Sequence, residues 1–508
     1  MIPIYIICGY LVLLLGLGLA SNHFFRGTAK DFFVASHSIG PFMLLMSIFG
    51  TTMTAFALVG STGKAYTTGI GVYGLMASWS GLIHSACFFL IGIKLWAIGK
   101  RYGYVTQVQF FRERFESEML GRILFPVLVL LVIPYLLIGI IGAGSVMRGL
   151  TVGTFAEVFP DTRGAIPPWL TGAVICCVVL TYVFYGGVRG AVWANTFQTL
   201  VFMGTGIVAF WMIAKALGGP AAASQKALEV VPELLAREGK ISQLQFFTYC
   251  FIPLSVGMFP HLFQHWLTAK SAKSFRLTVV AHPICIMIVW IPCILIGIWA
   301  AGSGIKTAPN AVLGRMVADL VHSPYLTGLL IAGVLAAIMS SLDSQFVCLG
   351  TMFTRDVVQH HYGENRFTDT QIIWLARAFI VFIVAVTYVL SLFPPPHVFD
   401  LGVWCFSGFA SLFPLAFAAV YWRRVTKAGA ISSLLVTVVV WLVLFMRDMA
   451  AKGKSGGEDE LLVFGMMPVA IIFGASVLTL VVVSLLTQPP SKATINKFFP
   501  EALKGLPS

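Results

Sequence analysis

Charge is what this sequence has least of. Lys, Arg, Asp and Glu make up 10% of its 508 residues while 58% are hydrophobic, and the mean hydropathy is +0.90. A water-soluble domain carries about 25% charged residues, so a soluble globular chain is excluded and the length does not imply several such domains. Metal and disulfide spacing is missing too. Cys8, Cys87, Cys176, Cys177, Cys250, Cys285, Cys293, Cys348 and Cys405 all fall inside apolar segments with no CxxC, and read as small buried hydrophobes. No basic run or RNA-binding motif accompanies the net charge of +13, which argues against a nucleic-acid partner. No phosphate loop, nucleophile motif or His/Asp/Glu cluster is present, so no enzyme is expected. The first twenty residues lack a basic leader and a small-residue cleavage site, and read as an uncleaved first helix.

What is present is one apolar run after another. Bilayer hydrocarbon about 30 Å thick needs about 20 apolar residues per helix. Windows between polar breaks predict spans over 3–21, 41–64, 71–99, 120–147, 168–186, 190–214, 245–264, 277–303, 324–352, 371–393, 398–422, 426–446 and 461–486. This is an all-α integral membrane protein of about thirteen transmembrane helices. Most of the 33 Lys and Arg residues fall on one set of alternate loops, which should be cytoplasmic and places the N-terminus outside and the C-terminus inside.

Two spans do not read as plain helices. Residues 47–63 (SIFGTTMTAFALVGSTG) are rich in glycine and threonine, and residues 251–261 (FIPLSVGMFPH) carry two prolines. Glycine weakens a helix, and proline removes a donor and clashes with the preceding turn. Carbonyls freed at membrane depth must face protein or a wet cavity. The two breaks lie five spans apart, so each opens one five-helix unit, 41–214 and 245–422. Paired interruptions of this kind point to a transporter built from inverted repeats, with its site at the midplane. The rest divides into a leading helix, 3–21, two trailing helices, 426–486, and a short cytoplasmic tail, 488–508, so that 1–487 form a single transmembrane domain.

The ninth span adds 336–344, AAIMSSLDS. Ala337, Ser340 and Ser341 share one helical face and offer the oxygen ligands a small hard cation needs. Asp343 shares a face with Ser340, and a carboxylate inside a membrane is a functional-site hypothesis by default. His84, His261 and His282 lie in or beside spans, where a proton relay is the alternative, and read as satisfied packing residues at span ends. His360 and His361 read as a solvated loop pair, and Pro394, Pro395 and Pro396 as a tight outer turn.

Three segments resemble the signatures of the sodium:solute symporter family, which has the LeuT-like fold: 182–198 (YVFYGGVRGAVWANTFQ), 336–344, and 408–430 from Gly408 through Pro414 to YWRRVTKAGA. A weaker fourth match is 106–115, TQVQFFRERF. The resemblance covers roughly 1–450 and implies a 5+5 inverted repeat. It places one sodium ion on the backbone carbonyls of Gly50, Met53 and Ala337 and the hydroxyls of Ser340 and Ser341, with Na+ as coupling ion and no transition metal. Where many members have Asp, this chain has Asn195; Asp343, near Ser340 and Ser344, either supplies the missing charge for a second cation or proton site or merely pairs with a neighbouring donor.

The resemblance also implies a solute lining at the breaks: Thr51, Thr52, Thr54 and Phe56 in the second span, and Ser255, Gly257 and Phe259 in the seventh. The Glu, Gln, Asn and Tyr of sugar carriers are missing there, and unpaired buried hydroxyls cost a few kcal/mol. Proline carriers use Trp and Tyr where this chain has Ile252 and Val256. A small carboxylate or pantothenate-like anion fits better, held by half-helix N-termini and hydroxyls. The expected partners are this solute and the lipid bilayer of the cell membrane, with no obligate protein partner. The alternatives are a sodium-independent uniporter or channel, or a proton-coupled transporter, on the same scaffold. About twenty residues follow the last expected span, so no kinase domain is expected.

Overall fold

The computed structural model describes residues 2–21, 27–236, 240–363, 366–393, 397–455 and 461–499. Pro394, Pro395 and Pro396 lie outside the described residues, as do 500–508 of the expected tail. Among the described residues the chain is helical, with two isolated β-bridges, Ile39–Ala269 and Val463–Met466.

Among the described residues ten helices are long and apolar enough to cross a bilayer, and two bent pairs raise the number to as many as twelve. In order, these are α1 Ile2–Ala20, the bent pair α2 Pro41–Thr52 and α3 Phe56–Thr68, α4 Gly71–Tyr102, and α5 Glu118–Thr151. They continue with α6 Pro168–Ala216, the bent pair α7 Gln243–Gly257 and α8 Pro260–Thr268, and α9 Ala272–Gly302. The last are α10 Pro324–Tyr362, α11 Asp369–Ser391, α12 Val398–Tyr421, α13 Lys427–Lys452 and α14 Pro468–Leu486.

The sequence reading expects about thirteen, and the two numbers differ at one place. Segments 168–186 and 190–214 form one run of 49 residues, α6, with a non-helical residue inside it, Gly187 at φ 54° and ψ −148°. At 1.5 Å per residue such a run is about 73 Å long, more than twice the hydrocarbon thickness. Gly187 is where it turns. A Cβ there would lie 2.7 Å from a ring carbon of Phe32 and 2.8 Å from its carbonyl oxygen, so only glycine fits. Two residues on, Arg189 grips the buried Asp31 through both of its oxygens, at 2.6 and 3.2 Å. The pair fastens this turn to the segment before the second span.

Both interrupted spans bend where the sequence places the breaks, by 57° and by 52°. In the first, Met53 leaves helical geometry (φ −89°, ψ 85°), and the Thr54 hydroxyl accepts from the Phe56 N–H at 3.0 Å, starting the next half. In the second, Phe259 is extended (φ −65°, ψ 118°) because the proline that follows excludes the helical region, and Pro260 then opens α8 as its first residue. The buried interior joins α6, α10, α2 and α8, while the outer faces present large apolar side chains such as Val12, Leu130, Trp211 and Leu485, as lipid requires. Cys8 and Cys177 are on that outer face and Cys250 is half-buried, so the expectation that all nine cysteines are buried is corrected for these three. An apolar thiol is tolerated against lipid as well as in the core.

Candidate functional site

The last turn of a helix leaves its carbonyls without helical partners. In α2 that turn includes Gly50, and its orphan carbonyl is met by the ninth expected span: Ser340 Oγ donates to Gly50 O at 2.7 Å and to Ala337 O at 2.9 Å. Gly50, Met53, Ala337, Ser340 and Ser341 are all buried. Glycine at 50 is required, since a Cβ would lie 2.3 Å from Thr199 Oγ1 and 3.6 Å from Ser340 Oγ. Met53 caps the same turn. The hydroxyl of Ser341 is turned to its own helix, donating to Ile338 O at 3.0 Å.

One turn further along α10 lies a second polar cluster. Tyr182 donates to Asp343 Oδ2 at 3.0 Å and Ser344 to Asp343 Oδ1 at 3.0 Å. Asn195 donates from Nδ2 to Ser344 Oγ at 2.9 Å, while among the described residues its Oδ1 has no hydrogen-bond partner. The structure thus brings Asp343, Ser344 and Asn195 together, fully buried. Sequence reasoning missed two participants, Tyr182 and His265. Tyr182 opens the 182–198 motif yet is assigned no role by it. His265 bridges Ser344 Oγ at 2.9 Å and Ser47 Oγ at 3.0 Å. It was legible as the residue four after His261, hence on the same face of α8.

Around the breaks the lining is aromatic. Phe56 stacks on Phe399 (centroids 5.1 Å) and meets Phe406 edge-on (5.0 Å), and Phe259 meets Phe406 from the other broken span (5.6 Å). Thr54 and Ser255 are buried, and among the described residues the buried Thr51 Oγ1 has no hydrogen-bond partner. Thr52 Oγ1 bonds Phe49 O at 2.9 Å and faces His282 Nε2 at 3.2 Å. Gly257 has Phe413 against it, so a Cβ would lie 2.5 Å from that ring. A cavity of about 530 Å³ is lined by Gly60, Lys64, Lys240, Asn310 and Phe399.

Two histidine expectations need correction. His261 is fully buried and, among the described residues, neither of its ring nitrogens has a hydrogen-bond partner, so it is not a satisfied packing residue. His84 and His282 lie inside the bundle with rings 5.3 Å apart, and the Nδ1 of each has no partner. The helical period buried them where the sequence pattern suggested only span ends. His360 is also not a bare surface residue; its Nε2 lies 2.6 Å from Glu118 Oε2.

Two broken spans, with buried oxygens and orphan carbonyls gathered at the first break, are the pattern of a secondary membrane transporter. The family model for the sodium:solute symporter family matches residues 32–437, and the chain belongs to that family. It is therefore a transporter and not an enzyme, and its family couples solute movement to sodium. Among curated relatives, the osmoregulated proline transporter OpuE of Bacillus subtilis is 24% identical, with 92% of each chain covered. The sodium/pantothenate symporter of Escherichia coli is 25% identical over 86% of this chain and 89% of its own. Among solved structures, an outward-open, substrate-bound Na+-coupled sialic acid symporter superposes with a TM-score of 0.74 at 17% identity, covering 97% and 99% of the two chains. MhsT in complex with L-phenylalanine superposes with a TM-score of 0.51 at 15% identity, covering 88% and 98%. The architecture is the LeuT-like fold.

Proposed function

We propose that this protein moves sodium together with a small organic anion, a carboxylate or pantothenate-like solute, across the cell membrane by alternating access. The observation that carries the ion half is Ser340 Oγ set 2.7 Å from Gly50 O, joining the first broken span to α10. The carbonyl end of α2 is the negative end of its dipole, which favours a cation. Sodium takes the carbonyls of Gly50, Met53 and Ala337 with the hydroxyls of Ser340 and Ser341, and Ser341 turns from Ile338 to do so. Asp343, Ser344 and Asn195 form a second cation or proton site, in which a buried carboxylate supplies the charge.

The solute lies between Thr51, Thr52, Thr54 and Phe56 on one broken span and Ser255, Gly257 and Phe259 on the other. The N-terminal end of α8 supplies positive potential there without a basic side chain. Ile252 and Val256 give proline none of the aromatic contacts that the family resemblance leads one to expect. Sodium binding holds α2 against α10 with the outside open, and it shifts the equilibrium only by its differential affinity for the two states. The N-terminus is outside and the C-terminus cytoplasmic, and every assigned group comes from one chain. The deciding test is a thermal-shift screen of the purified protein against small carboxylates, pantothenate and proline, in sodium and in potassium. Stabilisation by an anion that requires sodium is expected; stabilisation by proline alone would reject the anion.

A further inference from the structure

Two polar contacts join α2 to α10, and they lie one helical turn apart on both helices. The first is the direct bond from Ser340 to the Gly50 carbonyl. The second runs from Ser47, three residues before Gly50, to Ser344, four residues after Ser340, and it passes through His265 of α8. Ser47 Oγ lies 3.0 Å from His265 Nδ1, and His265 Nε2 lies 2.9 Å from Ser344 Oγ. All three side chains are buried. One imidazole of the second broken span is therefore the spacer between the first broken span and α10.

The neighbouring hydrogen bonds fix the direction of this chain. A charged carboxylate only accepts, so with Asp343 ionised the single proton of the Ser344 hydroxyl is the one that bonds Oδ1 at 3.0 Å. Ser344 Oγ then has only lone pairs to offer its other neighbours. Asn195 Nδ2 takes one at 2.9 Å, and His265 takes the other as an N–H donor from Nε2. A neutral imidazole with its proton on Nε2 has a bare Nδ1, to which Ser47 donates. Each donor points the same way, from Ser47 to His265, on to Ser344 and finally to Asp343.

We infer that His265 is a positioning residue of the Asp343 site: it aims the Ser344 hydroxyl at the carboxylate, and does so only while both broken spans are docked on α10. This rests on the reading of Asp343 as the charged member of a second cation site, and adds the residues that decide when that site is complete. Hydrogen bonds to a charged group are the strong ones, and in a dry interior each bond of a chain polarises the next. Moving α2 away takes the donor from Nδ1. Moving α8 away takes the imidazole itself and frees the Ser344 hydroxyl to turn to its own helix, where Ser340 O is 3.5 Å away. Either step weakens the hold on a charged Asp343, so a sodium ion taken up there favours the state in which both broken spans are docked.

The test is the charge moved by sodium concentration jumps without solute, in proteoliposomes holding wild type, Ser47→Ala, His265→Gln, His265→Leu, Asp343→Asn, or Asp343→Asn with His265→Leu. The half-maximal sodium concentration should rise about tenfold in His265→Leu and about threefold or more in Ser47→Ala. His265→Gln keeps a donor and an acceptor and should stay within about threefold of wild type. In the Asp343→Asn background His265→Leu should change nothing further, because the group it positions has already lost its charge. Wild-type midpoints in both Ser47→Ala and His265→Leu, or the same tenfold loss with and without the Asp343 carboxylate, would overturn the inference. Ser47→Ala alone decides the case where His265→Leu does not fold. An Asp343→Asn protein that behaves as wild type overturns the second-site reading and the inference with it. Altered Asp343→Asn beside unaltered His265→Leu overturns the inference alone.

Discussion

Ser340 and Gly50 are 290 residues apart in the chain, and the hydroxyl of one lies 2.7 Å from the carbonyl of the other. The contact ties the end of the first broken half-helix to the middle of α10. These two oxygens share one proton as they stand; a cation bound between them would draw on the lone pairs of both. Ser340→Ala with Ser341→Ala should therefore weaken sodium activation about tenfold or more, read as the sodium concentration giving half-maximal thermal stabilisation. An unchanged midpoint in the double variant would remove both serines from the ion site.

Asp343 is fully buried with donors from Tyr182 and Ser344 on its two oxygens. Among the described residues it has no ion pair with Lys or Arg. Asp343→Asn keeps the size and loses the charge. Proteoliposomes given a sodium concentration jump without solute should move less charge with this variant than with wild type. Equal charge movement would show that Asp343 serves structure and not coupling.

Gly187→Ala combines a positive φ with a Cβ 2.7 Å from the Phe32 ring. A non-glycine residue forced into this essentially glycine-only backbone geometry costs about 1–3 kcal/mol and overpacking about 1–3 kcal/mol more. Gly204→Ala, in the same helix with nothing within 4 Å, is the control. The first variant should melt well below wild type and the second at or above it, in detergent at fixed lipid content.

The C-terminal helix α15, Lys492–Phe498, docks on the segment following the short helix 107–114, where the hydroxyls of Ser491 and Thr494 both bond Glu116. Those bonds, that of Ser491 first, hold the Glu116 carboxyl below its ordinary value. A depressed value means that the contribution is present above the unfolded value of about 4.3 and is lost as pH falls through the folded one. Melting curves of wild type and Glu116→Gln should diverge at neutral pH and converge only well below about pH 4.3. A constant difference across that range would assign the effect to packing.

Much of this was readable in the chain. Pro260 after Phe259 forces an extended residue whatever the surroundings, and an apolar run of twenty residues has few choices in a bilayer. The serines at 340 and 341 were visible because helical spacing puts them on one face with Ala337. The surroundings of His261 and His265 were not visible, because spacing gives the face of a residue and not its neighbour. His265 finds Ser47, 218 residues away, and Ser344, 79 residues away. Among the described residues His261 has no hydrogen-bond partner, a property that only an account of the surrounding donors and acceptors reveals.

Composition, periodicity and the two breaks determined by themselves that the chain is a helical membrane protein and where its helices cannot continue. Those are local matters, set by the transfer of apolar side chains and by backbone groups that must be satisfied within a few residues. The tertiary structure alone decided which carbonyl Ser340 meets, which donors surround Asp343, that Gly187 turns against Phe32, and that Phe56 and Phe259 share Phe406. Each depends on packing between segments far apart in sequence, where a shift of one helical turn would exchange every partner.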